Sequence, residues 1–394
     1  MRKVIFISLT IITWFGCKKP YLGPAASSDT AATGFLVVEG TINTGADSTI
    51  IRVSRTVPLG SARRSEPVTD ATMMVESDAG GSYGLPSYGN GYYKTVALNL
   101  SASNKYRLRV LTPDSKEYAS DFVTVKNSPP IDSITYRLDN TGVKLYVNTH
   151  DPENKTTYYK WSYIETYIIH ADYVSTVKLV HVPFDTVVLR SLDEYVYQCW
   201  KNDSSVNVIL GSSAKLKEDV ISQSQLTYVN TGDEKMRTRY SILVKQDALT
   251  AEGFNYWQNL KKNTEQLGSV FDAQPSELQG NIHCITNPSE PVIGYISAGS
   301  TSQLRIYIDN SELPTWPVPA SECTEKGYLF HDHDSAGRPT TPVRDFIYTG
   351  QIFVTGVIQP PGSVILGYTG VEDRACADCT LRGSNKRPSF WIDR

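Results

Sequence analysis

Two groups of side chains in this chain are close enough in sequence to do chemistry. His331-Asp332-His333-Asp334 places two imidazoles and two carboxylates in consecutive positions, a donor set that suits a divalent cation. In an extended chain only residues two apart share a face, so two of the four converge unless a special loop gathers them. The following residues, DHDSAG from Asp332 to Gly337, begin like a calcium loop. Ala336 then stands where a third oxygen ligand belongs, and Val343 where the bidentate glutamate belongs. A polar turn ending at Gly337 is the simpler expectation. The four residues remain weak metal candidates, and no cofactor is expected.

The second group is the thiols. Cys376-x-x-Cys379 has the spacing of half a zinc site or of a redox pair, and Cys284 and Cys323 could complete four thiolates. The flanking ACADCTLRG contains no helix start that would lower a thiol pKa. Disulfides are therefore expected among Cys199, Cys284, Cys323, Cys376 and Cys379, with Cys379 and Cys284 in bridges that fasten the C-terminal tail. Five is an odd number, so at least one stays unpaired.

Catalytic patterns do not emerge. The chain has no H-E-x-x-H, no phosphate-binding Gly-Lys-Thr/Ser loop and no dinucleotide fingerprint after a strand. A non-enzymatic role is expected. The alternative is a secreted, lipid-anchored hydrolase or lyase acting on glycans, whose two carboxylates need only meet in space within about 5 to 10 Å. Tyr158, Tyr159, Trp161, Tyr163 and Tyr167 put rings on both faces of one strand. Outward rings could stack on a sugar or grip a peptide, whereas inward rings would fill a core.

Where such residues work is set by the first twenty, MRKVIFISLTIITWFGCKKP. A basic start, an apolar run of about a dozen residues and a closing Gly16-Cys17 are too short for a membrane span and read as an export signal. The segment resembles a bacterial lipoprotein signal peptide. That resemblance makes residues 1–16 the signal and Cys17 the lipidated first residue of the mature chain. Residues 17–34, small and polar with two prolines, read as a flexible tether. The membrane partner is then reached through lipid on Cys17. Lys18 and Lys19, where some related lipoproteins carry acidic export signals, leave both the periplasmic and the surface face of the outer membrane open.

The remaining length exceeds what one core serves. Short β-rich runs between turn signals, with 24 Tyr against 11 Phe and only 4 Met, predict a mainly β fold of two β-sandwich-like domains in tandem. The first spans 35–127 and is immunoglobulin-like or transthyretin-like, with KYRLRVL at 105–111 alternating between core and solvent and Asn90-Gly91 closing a hairpin. Pro129-Pro130 marks the joint. The second domain, 128–394, carries one amphipathic helix near 250–267, capped by Thr250, with Phe254, Trp257 and Leu260 on its buried stripe. Residues 172–198 read as an excursion with a hairpin of its own. A net charge of −3 offers no field to recruit nucleic acid.

LVVEG at 36–40, SRT at 54–56, PPIDSI at 129–134, Cys199-Trp200 and the block from Tyr240 to Cys284 resemble the Bacteroidota family called domain of unknown function 4249. NPSEPVIGYISAG at 287–299, Asp378-Cys379 and the closing KRPSFW extend the resemblance over nearly the whole mature chain. It implies an outer-membrane lipoprotein encoded near TonB-dependent transporters, and it supplies no catalytic residues. The expected function is that of an accessory or ligand-binding partner of such a transporter, in nutrient uptake, with a glycan or peptide as ligand.

Overall fold

The computed structural model describes residues 34–58, 60–63, 65–265, 278–314, 316–317 and 320–393. The residues expected to form the signal (1–16), Cys17 and the expected tether as far as residue 33 lie outside the described residues. Among the described residues the architecture is mainly β: two sandwiches, one α-helix of several turns and a smaller β module.

In the first sandwich, strands Leu36–Asn43, Thr49–Arg55 and Tyr92–Thr95 form one sheet, and Thr72–Ser77, Lys105–Leu111 and Glu117–Ser120 form the facing one. Alternation decides what each strand buries. Tyr106, Leu108 and Val110 enter the core, while Arg107 and Arg109 point outward to Glu76 at 2.7 and 3.2 Å. Asn90 and Gly91 both adopt positive φ, 51° and 76°, as the tight turn between strands requires.

The boundary expected at 127/128 needs correction. Val292–Gly299 returns to the first sandwich and pairs in parallel with Leu36–Asn43, from Leu36 opposite Val292 to Asn43 opposite Gly299. Ile282–Cys284 joins the other sheet, antiparallel to Glu117–Ser120. Parallel neighbours need a long crossover, and here the crossover contains most of the second sandwich and the helix. The two sandwiches follow one another along the chain, and the first is completed by strands that return after the second has largely formed.

The second sandwich faces Ile131–Asp139, Gly142–His150 and Val220–Asn230 against Tyr158–His170, Arg239–Leu249, Thr301–Asp309 and Gln198–Ser204. Tyr159, Trp161 and Tyr167 lie in its core with Leu145, Ile242 and Val244, and Tyr163 packs against them. Tyr158 turns to the helix, 4.8 Å from Phe254. The run of rings is thus core and helix contact rather than a binding platform. Buried polar groups in this core are matched. Trp161 Nε1 donates to Gln246 Oε1 at 2.8 Å, and Gln246 Nε2 donates to the Pro129 carbonyl at 2.9 Å, tying the core to the proline joint. Glu165 accepts from Tyr240 and from Lys235, both at 2.6 Å.

The excursion after Asp172 is a hairpin, Val177–Val180 with Thr186–Leu189. It shares an apolar core with a three-stranded sheet of Glu325–Leu329, Phe353–Ile358 and Gly367–Val371, making a third module. The tail that follows is fastened to the second sandwich by the Cys199–Cys379 disulfide. Trp391 packs beside Trp200 and Tyr307 there.

Candidate functional site

The helix, Ala251–Glu265, begins where Thr250 Oγ1 accepts the Gly253 amide at 3.1 Å. Its buried face differs from the one expected. Gly253 and Tyr256 are buried, whereas Phe254, Trp257 and Leu260 are only half-buried. A bare backbone at Gly253 lets the helix close on Tyr295, whose Cε1 would stand 3.1 Å from an added Cβ. Tyr256 stacks on that ring at 5.4 Å, Trp257 takes the Lys160 ammonium at 4.3 Å, and the Glu265 carboxylate accepts the Val208 amide. The helix therefore bridges the two sandwiches.

Between its first turns and the edge of the first sandwich lies a cavity of about 670 Å³. Asn255, Asn259 and Glu252 line the helix side, with Asp121, Phe122 and Gln279 opposite and Tyr256 and Tyr295 at the base. The sandwich wall is held by Asn281, whose amide copies a strand neighbour: it accepts the Ile296 N–H at 2.8 Å and donates to the Ile296 carbonyl at 2.9 Å. Gly280 beside it has no room for a side chain, since a Cβ would fall 1.8 Å from the Gly294 carbonyl oxygen. Burial pushes the Tyr256 hydroxyl up to about 12 and raises Tyr295 as well, so both stay neutral donors at physiological pH. No Lys, Arg or His lines this cavity among the described residues. Amides, neutral hydroxyls and two carboxylates can hydrogen-bond hydroxyl, amide or ammonium groups, and they repel anions.

A second, smaller concavity of about 350 Å³ lies at the joint of the sandwiches, and some of its polar side chains already bond one another. Gln303 donates to Asp47 at 3.0 Å and Thr301 to Asp247 at 2.8 Å.

The sequence-derived candidates fare differently. His331, Asp332 and His333 are exposed on a two-residue hairpin with Pro339–Thr340. Asp334 is occupied in closing that turn, accepting the Ala336 and Arg338 amides and Arg338 Nε. The four are not brought together as ligands. Among the described residues the one group with metal-ligand spacing is Asp172, Cys323 and Cys376, and its two sulfurs are bonded to each other. The thiols pair as Cys199–Cys379 and Cys323–Cys376, so the C-x-x-C cysteines face different partners and form neither a half zinc site nor a redox pair. Cys284 is the correction. It is unpaired and buried in the core of the first sandwich, whereas the other four lie in the second sandwich, the third module and the tail. The cavity residues themselves were not apparent from sequence. The only signals were Gln279-Gly280-Asn281 after the helix and Glu252 in its first turn.

Both sandwiches except the last four residues of Thr301–Asp309, together with the helix and the returning strand, fall within residues 25–305, which match the family described as Domain of unknown function (DUF4249). The chain belongs to this family. Within this DUF4249 member, the third module's sheet and the disulfide-fastened tail follow the matched residues. No curated protein matches the chain. Among solved structures it is similar to a segment of two fibronectin type-III domains from chicken tenascin. That similarity has 13% identity, covers 55% of this chain and 91% of that one, and has a TM-score of 0.16.

Proposed function

We propose that the protein is a non-enzymatic, lipid-anchored binding protein of the outer membrane, accessory to a TonB-dependent transporter in nutrient uptake. Its ligand, an uncharged or cationic glycan or peptide, occupies the cavity between the first sandwich and the helix. The observation that carries this reading is the composition of that cavity: Asn255, Asn259 and Gln279 beside Asp121 and Glu252, with tyrosines at the base and no basic side chain among the described residues. Such a lining favours ligands rich in hydroxyl or amide groups over phosphorylated or sulfated ones. Anchoring rests on Cys17 and the leader before it. No helix among the described residues is long and apolar enough to cross a membrane.

Calorimetric titration with panels of neutral and acidic oligosaccharides and short peptides tests the cavity. Neutral or cationic members are expected to bind, and Asn255→Ala with Asn259→Ala to weaken them at least tenfold. Binding that survives this double variant unchanged refutes the site. Cys17→Ser is expected to release the protein from the membrane fraction, and the wild-type chain is expected to copurify with a TonB-dependent transporter. Asp121 and Glu252 in one cavity also favour a second reading, a glycan-active hydrolase or lyase. Turnover of any bound glycan, abolished by Asp121→Asn or Glu252→Gln, would replace the binding function with that one.

A further inference from the structure

Large apolar side chains left in water are unevenly spread over this molecule. Seven of them lie within residues 174–195 and five within 346–366, all in or beside the third module. The hairpin and the turn after it expose Val182 at 82%, Phe184 at 68%, Leu189 at 75% and Leu192 at 96%. Isolated exposed apolar residues are ordinary, but a concentration on one projecting element marks a surface that another body covers. Two of the nearby acids already have partners. Lys178 pairs with Glu194 and His181 with Asp185 at 2.7 Å, so the surface offers apolar contact with little net charge.

We propose that this hairpin, Val177–Leu189, with the turn at Leu192, is the docking surface for a protein partner that presents an uncharged apolar face. The place of the hairpin in the fold argues for a protein rather than lipid. Gly34, where the tether ends, lies at the end of the first sandwich remote from the second. Its strand starts opposite Val292 and finishes opposite Gly299, one residue before the chain enters the second sandwich at Thr301. The 13-residue strand Tyr158–His170 then runs the length of the second sandwich, and the hairpin departs after its far end. At about 3.3 Å per residue, the 8-residue first strand and this 13-residue strand, laid end to end, come to about 70 Å. The 17 residues from Cys17 to Gly34 reach at most about 60 Å. The anchor therefore holds the opposite end of the molecule from the hairpin. Residues 174–195 also contain only Lys178 and Arg190 as basic side chains against Asp185, Asp193 and Glu194, which gives no attraction to anionic headgroups.

The proposal rests on the anchored reading above for its orientation and names where the partner of that reading would sit. Its test uses the full-length chain in intact cells, with the photo-crosslinker para-benzoylphenylalanine at Phe184, at Leu192 or, as a control on the first sandwich, at exposed Tyr88. Expected are discrete adducts of one mass with one envelope protein from positions 184 and 192 and none from 88. Adding Val182→Ser and Leu189→Ser should reduce them at least tenfold while the melting temperature of the purified chain is unchanged. No adduct from either hairpin position, equal adducts from all three, or adducts with a second copy of this chain would overturn it. So would flotation of the chain lacking residues 1–17 on phosphatidylethanolamine–phosphatidylglycerol vesicles, if Phe184→Ser abolished it. Adducts with a protein other than a TonB-dependent transporter would sustain the docking surface and remove the transporter reading. Transporter copurification without hairpin adducts would do the reverse.

Discussion

Removing the two disulfides one at a time should have unequal and separable effects. Cys199–Cys379 joins residues 180 apart and Cys323–Cys376 joins residues 53 apart. The loop-entropy relation assigns about 5 kcal/mol to the first closure and about 4 kcal/mol to the second, both upper figures because native contacts persist in the unfolded chain. Location should widen the gap. Cys199 and Cys379 are fully buried in the second sandwich, and the tail beyond them adds a two-way backbone pairing between Trp200 and Ser384 and the Trp200–Trp391 contact. Cys323 and Cys376 instead close the loop that contains the third module's sheet. The variants are Cys199→Ala with Cys379→Ala, and Cys323→Ala with Cys376→Ala. Guanidinium unfolding followed by tryptophan fluorescence gives stability, and brief trypsin treatment reads the tail. The first pair is expected to lose more stability, by about 1 kcal/mol or more, and to open Arg382 and Lys386 to cleavage. The second pair should leave those sites protected. Equal loss from both pairs, a larger loss from Cys323–Cys376, or an uncut tail in the first variant would refute the reasoning. In the oxidised wild type lacking residues 1–17, only Cys284 should react with a thiol reagent, and only after denaturation.

Glu165→Ala should cost about 3 to 5 kcal/mol in urea unfolding, since it strips the buried Tyr240 hydroxyl of its acceptor and Lys235 of its closest carboxylate; Glu165→Gln should cost less, and a loss below about 1 kcal/mol for the alanine would show that the group is not needed. Gly299→Ala sets a Cβ 1.8 Å from the Lys126 carbonyl oxygen at the joint of the sandwiches; a melting temperature equal to wild type would contradict the expected loss of about 1 to 3 kcal/mol. Acid should weaken the protein through Glu76 and Asp378. Burial raises both carboxyls, but bonds from Arg107 and Arg109 to Glu76, and from Thr380 and Arg374 to Asp378, outweigh it and hold both below their ordinary values. Depressed acids contribute stability that is present above the unfolded pKa and lost as pH falls through the folded one. The urea midpoint should therefore hold from about pH 7 to 5 and drop below about pH 4, and Arg107→Met with Arg109→Met should flatten Glu76's share of that drop.

Local periodicity wrote much of this architecture into the chain. KYRLRVL alternates because every second side chain of a strand faces the core, Asn90-Gly91 turns because both can hold positive φ, and the helix starts at Thr250 because a hydroxyl there caps a free amide. Five cysteines after Cys17 fixed that one would stay unpaired. Which one did not follow from the count, because a bridge depends on Cα atoms meeting at 5.7 Å across 180 or 53 residues, a distance no short-range pattern encodes. For the same reason the parallel partner of Leu36–Asn43 could not be read from sequence: it lies beyond an entire inserted sandwich, and its apolar run would suit either domain. The helix face shifted from Phe254 and Leu260 to Gly253 and Tyr256 because what packs on it is Tyr295, a residue delivered by that returning strand. The cavity exists only through that closure. Its amides and carboxylates come from three distant segments, each individually an ordinary polar turn or helix surface, and tertiary structure alone makes them neighbours.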